Sequence, residues 1–382
     1  MRPYHRLRIA VHYPARPVGP IPRVISLGVC CMVFVSLSAC SATSTTARSS
    51  SAPATSPPTV APTSAPTAST RATAPRQQTV PSTPGVPSAP GLITEPDQGM
   101  TPIYSLIQSP TRTLDMSMYE LVDTRAESLL AADAGRGVSV RVILDHRYET
   151  SHNQPAYSYL VSHGVHVQWA PPSFSAFHVK MICVDDSTCS VMTLNLTSRY
   201  YATTRDFAVS DSTPADVTSM EQTFTADFDS SSIIPPNGTD LVWSPGSTGT
   251  LTSLIGSATS ELLIYNEEMS DPAIVSSLAS AARRGVAVRV VMTDQTSWHP
   301  EFSTLTTAGV QVRLFHGETP VYIHAKMVWV DGKEDFIGSE NFSQASLTRN
   351  RELGIVLTDP AILSATHHTF DADFAGAAPW GT

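Results

Sequence analysis

Two short stretches of this chain carry residue types that together can do chemistry on a phosphate. His178-Val179-Lys180 is followed, five residues after the lysine, by Asp185, and His324-Ala325-Lys326 is followed by Asp331 at the same distance. At this composition the pattern should arise by chance at about one position in 10⁵. It occurs twice and uses two of the chain's three lysines, the third being Lys333. Asn195 and Asn341 each lie 17 residues after their histidine, and Asp206 and Glu352 each lie 28 residues after it. Each set therefore holds an imidazole, a cation, an amide and a carboxylate. Pooled, two cations and two amides suit the oxygens of a doubly esterified phosphate, and two imidazoles suit attack and leaving-group protonation. Lys180, Lys326, Asn195 and Asn341 would hold the equatorial oxygens as charge redistributes. A carboxylate beside each imidazole would fix its tautomer and raise its basicity. A single His-x-Lys is ordinarily a solvated strand face, and the duplication argues against that reading here.

The elements that must position these residues are themselves written twice. Residues 102–230 and 251–376 align along their length, with Gly137-Val138-Ser139-Val140-Arg141-Val142 returning as Gly285-Val286-Ala287-Val288-Arg289-Val290. Thr223-Phe224-Thr225-Ala226-Asp227-Phe228 returns as Thr369-Phe370-Asp371-Ala372-Asp373-Phe374. Each copy reads in the same order. An apolar strand (Thr113–Tyr119; Glu261–Tyr265) leads to a helix that stops at Gly137 or Gly285. A Val-rich strand follows (Val138–Leu144; Val286–Met292), then a short helix and a further strand (Val165–Trp169; Val310–Phe315). This alternation predicts an α/β fold with largely buried sheets. The His-x-Lys segments, Val179–Val184 and Ala325–Val330, are strand-like, so each His and Lys share a face and point into one site. Glu267-Glu268 ends a strand beside that site. Gly135-Arg136-Gly137 reads as a helix stop rather than a phosphate loop, and Tyr200-Tyr201 as packing residues with groove lining as the alternative. The other ten histidines, His367-His368 included, show no metal-ligand spacing.

This constellation resembles the phospholipase D superfamily, whose mark is His-x-Lys-x4-Asp-x6-Gly-Ser-x-Asn, twice per active site. The second copy matches throughout, ending in Gly338-Ser339-Glu340-Asn341; in the first, Met192 stands for the Gly and Thr193 for the Ser. The resemblance implies two pseudo-symmetric α/β/α halves with mixed sheets packed together and one site at the pseudo-twofold between them. It also implies a covalent phosphohistidine, with no metal and no cofactor. The family draws its nucleophile from the N-terminal motif, which makes His178 the nucleophile and His324 the acid. By the same resemblance Asp206 serves His178 and Glu352 serves His324. Thr193 and Ser339 join Asn195 and Asn341 as phosphate-binding residues, Met192 is expected to tighten the phosphate pocket, and Asp185 and Asp331 end their strands as structural acids. The expected activity is a phosphodiesterase that hydrolyses or transesterifies a phospholipid. A secreted metal-independent endonuclease of the same superfamily is the alternative, and a binding module with a vestigial site is a third, disfavoured by the intact His, Lys and Asn of both halves.

Composition narrows the partners. The formal net charge is −9, and since residues 1–39 carry five arginines and no acids, the remainder is more acidic still. A general nucleic-acid binder needs the opposite surface. Those first residues read as an exported leader: Arg2, Arg6, Arg8, Arg16 and Arg23, then the apolar Val24–Ala39, ending in Leu37-Ser38-Ala39-Cys40. They resemble a bacterial lipoprotein signal in which Cys40 is lipidated, with the true start downstream of Met1 as an option. Residues 40–96, rich in Ser, Thr, Ala and Pro, read as a disordered, extended tether. The expected organisation is thus a signal peptide at 1–39, the tether at 40–96, one half at 97–235 and the other at 236–382. The protein is expected outside the cell, lipid-anchored to the outer face of the membrane or secreted, as a monomer with both motifs in one chain. Cys183 and Cys189 flank a predicted hairpin turn, and in an exported protein a disulfide across it is expected.

Overall fold

The computed structural model describes residues 89–381. The leader, Cys40 and most of the tether lie outside the described residues. Within them are two α/β halves, each built on a mixed sheet. The first sheet runs, in spatial order, Leu92–Glu95, Thr204–Asp211, Thr188–Met192, Met181–Val184, Thr113–Met118, Ser139–Leu144 and His166–Trp169. The second runs Leu241–Ser244, Glu352–Leu357, Glu334–Gly338, Met327–Val330, Glu261–Tyr265, Ala287–Thr293, Gln311–Phe315 and Ala378–Pro379. In each sheet the three βα-linked strands are parallel and the strands carrying the motifs are antiparallel.

Local chemistry explains the repeat. The helix Thr124–Gly135 begins where the Asp123 carboxylate accepts from the amides of Arg125 and Ala126. Its counterpart Pro272–Arg283 begins on Asp271 in the same way, with Pro272 opening the helix. Each half then turns at a glycine with φ 94°, Gly137 or Gly285, a conformation that favours a residue without a Cβ. The outer faces of the sheets bury separate apolar clusters, Ile103, Leu130 and Leu160 in one half and Ile255, Leu278 and Phe302 in the other. The inner faces share theirs. Met181, Val191 and Phe224 of the first half pack with Trp243 and Leu353 of the second, and Phe207 of the first packs with Tyr265 and Phe370 of the second.

Two strand exchanges tie the halves at the site. Tyr322–Ile323 of the second half pairs parallel with Thr204–Arg205 of the first, and Phe177 of the first bridges Arg351 of the second. Arg205 in turn pairs with Asp373, and Arg351 with Asp227, each across the interface and each buried. Leu92–Glu95, read with the tether, is a strand paired antiparallel with Asp206–Val209, so the folded unit starts before residue 97. Cys183 and Cys189 face each other across their hairpin and form a disulfide. No helix among the described residues is long and apolar enough to cross a membrane.

Candidate active site

The exchanged segments decide which residues meet. Ile323 sits opposite Arg205, so His324 arrives beside Asp206; Phe177 sits opposite Arg351, so His178 arrives beside Glu352. His178 Nδ1 lies 2.7 Å from Glu352 Oε2, and His324 Nδ1 lies 2.8 Å from Asp206 Oδ1. The carboxylates are therefore crossed: each imidazole is oriented by the acid of the other half, whereas the resemblance had paired Asp206 with His178 and Glu352 with His324. With each Nδ1 engaged, each Nε2 is the nitrogen left for reaction. Both histidines line one cavity of about 620 Å³ with Asn195, Asn341, Tyr119 and Glu267.

The orienting acids are held in turn. Glu352 Oε1 accepts from the Ser346 hydroxyl at 2.7 Å and from Asn350 Nδ2 at 3.0 Å. Asp206 Oδ1 accepts from the Thr193 hydroxyl at 2.5 Å, and that hydroxyl also accepts from the amide of Phe207. Thr193 is thus committed to the carboxylate rather than to substrate. Ser339, fully buried, accepts from the amide of Leu353 and is likewise turned away from the cavity. Both were expected to bind phosphate; both instead tie the motif strand to its neighbour. Asn195 and Asn341 keep the expected place, each with a side-chain oxygen that has no partner in the protein.

Met192 does not tighten the pocket. It is buried in the outer core of the first half with Leu194 and Ala208. The counterpart Gly338 is a glycine for a packing reason: a Cβ there would lie 2.5 Å from Glu340 Oε2 and 2.5 Å from the Cα of Gly354. Where the first half fills this space with Met192 and Leu194, the second fills it with the buried Glu340. Burial, reinforced by the nearby Glu352, pushes that carboxyl well above its ordinary pKa. Asp185 and Asp331 each hold the start of a neighbouring strand. Asp185 accepts from the amides of Thr111, Arg112 and Thr113, and Asp331 from those of Thr259, Ser260 and Glu261. Each fixes the start of the central strand of its sheet.

Lys180 and Lys326 are buried, with their ammonium groups on the carbonyls of His178 (2.7 Å) and His324 (2.5 Å). The regular strands begin only after them, at Met181 and Met327. Burial pushes Lys180 down to about 7, against the pull of Glu352, with Lys326 adding to the fall. Burial also lowers the pKa of His178; Glu352 raises it and Lys180 lowers it further, and burial prevails. A neutral imidazole with a free Nε2 is chemically able to act as a nucleophile. Four wall residues were not placed by the motif. Tyr119 meets His178 edge-on at 4.7 Å. Glu267 and Tyr322 come from the second half, and Glu95 comes from the strand read as tether, its carboxyl pushed by burial, and then by Asp206 and Asp97, up to about 8. Tyr200 and Tyr201 line the cavity as well.

Two halves that share one pocket, each lining it with a His and an Asn and burying a Lys beside its His, define a phospholipase D-like protein. The family model described as cardiolipin synthase, PLD-like domain matches residues 103–228 and again 251–374, more than half of the chain, and the chain belongs to that family. Among characterised relatives it is 31% identical over 122 residues to phospholipase D Y of Dictyostelium discoideum, covering 28% of each chain. It is 31% identical over 124 residues to the mitochondrial cardiolipin hydrolase of Xenopus laevis, covering 32% of this chain and 57% of that protein. The match thus spans between about a quarter and somewhat over half of these relatives' length. In fold it is similar to the phosphatidylserine synthase of Haemophilus influenzae Rd KW20, with TM-score 0.60 and 15% identity, covering 76% of this chain and 88% of that one. The polyphosphate kinase of Porphyromonas gingivalis shares the fold to the same TM-score of 0.60, at 15% identity and covering 74% of this chain and 47% of that one.

Proposed function

We propose that this phospholipase D-like protein cleaves a phosphodiester of a phospholipid, with water or an alcohol as acceptor, through a phosphohistidine on His178. The observation that carries the reading is the crossed pair of carboxylate-bound imidazoles facing one cavity. His178 Nε2 attacks phosphorus with its lone pair, and the P–O bond to the leaving alcohol breaks. The departing alkoxide takes the proton of His324 Nε2. Lys180, Lys326, Asn195 and Asn341 hold the non-bridging oxygens as charge shifts through the transition state. Water then gives a proton to His324 and attacks phosphorus, the P–N bond breaks, and His178 returns neutral. Glu352 and Asp206 keep each reactive nitrogen pointed at phosphorus, as the third member of a triad does.

A phospholipid is favoured over nucleic acid by the net charge of −9 and by a cavity wall that includes Glu120, Glu267 and Glu318. Such a wall repels a polyanion with many phosphates more than a single diester. Export with a lipid anchor on Cys40 fits this substrate, because the anchor would hold the site at a lipid surface. That part is tested by labelling cells with a fatty-acid analogue: the full chain takes up label and Cys40→Ala does not. The activity is tested with the purified soluble domain on phosphatidylcholine, cardiolipin, bis(p-nitrophenyl) phosphate and plasmid DNA, with and without EDTA. The reading expects turnover of a lipid and of the small diester, unchanged by EDTA. Cleavage of DNA alone would favour the nuclease alternative.

A further inference from the structure

The repeat places Tyr119 and Glu267 at equivalent positions, just past the central strand of each sheet; Leu114 pairs with Val184 where Leu262 pairs with Val330. In the first half the Tyr119 ring lies against His178 and 5.1 Å from the ammonium of Lys180. In the second half a carboxylate stands there. Glu267 Oε2 is 3.1 Å from Lys326 Nζ, 3.5 Å from His324 Nε2 and 3.5 Å from Asn341 Nδ2, while Tyr322 donates its hydroxyl to Oε1 at 3.0 Å. Two of these four donors, Lys326 and Asn341, are assigned above to the phosphate's non-bridging oxygens, and a third, His324, to the oxygen of its leaving group. Glu267 thus holds, in the free protein, the contacts that a phosphate oxygen would make.

Resting on the phosphodiesterase reading, we propose that Glu267 is a built-in competitor for the phosphate and thereby the residue that restricts the site to singly charged phosphodiesters. A substrate must displace the carboxylate from Lys326, His324 and Asn341. The displaced side chain stays at the site, because its backbone lies only two residues past the strand Glu261–Tyr265 and its neighbour Glu268 lines the same wall. It stays as a negative charge beside the bound phosphate. One negative charge on a diester is offset by two lysines; the second charge of a monoester meets Glu267 at close range, where Coulomb repulsion in a poorly solvated site is strong. Burial works to raise the Glu267 pKa, but Lys326 and His324 outweigh it and hold the carboxyl well below its ordinary range, so it is an anion at any working pH.

The test uses tungstate, a phosphate analogue that needs no turnover to bind. Calorimetry on the soluble protein should show Glu267→Gln binding tungstate about tenfold or more tighter than the parent. Glu267→Asp, which keeps the charge, should stay within about threefold of the parent, and thermal melts check that both variants are folded. In parallel, kcat/KM for p-nitrophenyl phosphate relative to bis(p-nitrophenyl) phosphate should rise about tenfold in Glu267→Gln. Unchanged or weaker tungstate binding in Glu267→Gln would overturn the proposal and leave Glu267 as a positioning residue for Lys326. Equal tightening in both variants would also overturn it, since charge would not be the agent. Because tungstate binding is read without catalysis, a protein that turned over no diester would refute the phosphodiesterase reading and still report on Glu267.

Discussion

The two halves of the site share their histidine, lysine and asparagine but differ in what surrounds them. In the first half the imidazole is oriented by a glutamate and flanked by the aromatic Tyr119; in the second it is oriented by an aspartate and faces the carboxylate of Glu267. Beneath the motif the first half is apolar, with Met192 and Leu194, where the second buries Glu340 beside Gly338. The first hairpin is closed by Cys183 and Cys189; the second puts Trp329 opposite Asp335 at the matching register. A duplicated scaffold thus supplies two copies of one reactive group and two environments for them. Such a difference biases which imidazole holds the proton and which attacks, beyond what two identical groups sharing one proton would do.

The largest expected break in this comparison comes from removing each imidazole. His178→Ala and His324→Ala should each lower turnover of an alkyl diester by about 10⁴-fold or more, near the scale seen when a triad member is lost. They should then part company on a substrate with a good leaving group. His324→Ala should still release one equivalent of p-nitrophenol per site in a burst, because that leaving group needs no proton, and His178→Ala should release none. Equal behaviour of the two variants would erase the distinction between the halves.

The crossed carboxylates give the next effect, of about 10²–10⁴-fold. Glu352→Gln should slow the burst itself, since Glu352 orients His178. Asp206→Asn should spare the burst with p-nitrophenyl esters and slow turnover of alkyl esters and the release of the adduct, since Asp206 orients His324. Stopped-flow traces of the two variants decide it; the opposite assignment of effects would restore the uncrossed pairing.

A smaller effect concerns Lys180, buried to a pKa of about 7 in the free protein. At pH 8 most of this amine is neutral, and a bound anion favours its charged form, so binding should take up a proton; at pH 6 the amine is already charged and the uptake should shrink. Tungstate titrations in buffers of different ionisation enthalpy measure this, and the uptake at pH 8 should fall in Lys180→Met. The smallest effect is the disulfide. Its loop spans a sequence separation of 6, so Cys183→Ala with Cys189→Ala should cost on the order of 2 kcal/mol in a denaturant melt and leave the burst unchanged.

Much of the site was legible because it is written in types and spacings that a repeat makes visible. The histidines and asparagines reach one cavity, the lysines lie buried beside their histidines, and Asp185 and Asp331 hold the starts of their neighbouring strands. The crossed pairing was not legible. It follows from Ile323 lying against Arg205 and Phe177 against Arg351, contacts between segments far apart in sequence that no local pattern encodes. Thr193 and Ser339 misled for a related reason: a hydroxyl in a motif can face substrate or a neighbouring strand, and only the register decides. The strand Leu92–Glu95 was hidden by the Pro-rich run before it and by its shortness, and it forms because Asp206–Val209 offers an open edge. Glu267 carried a signal that could have been used. Aligning the two copies sets it opposite Tyr119, and a charge that replaces an aromatic beside a reactive pair marks a difference in role.

The central claim is that the halves divide the chemistry, with His178 as the attacking group. Rapid acid-free quenching of His324→Ala with bis(p-nitrophenyl) phosphate, followed by peptide mapping under alkaline conditions that preserve phosphoramidates, tests it most directly. The account predicts close to one phosphoryl group per chain, on the peptide containing His178, and none after His178→Ala. A group found on His324 in the parent protein, or no adduct in any variant that still turns over, would contradict it.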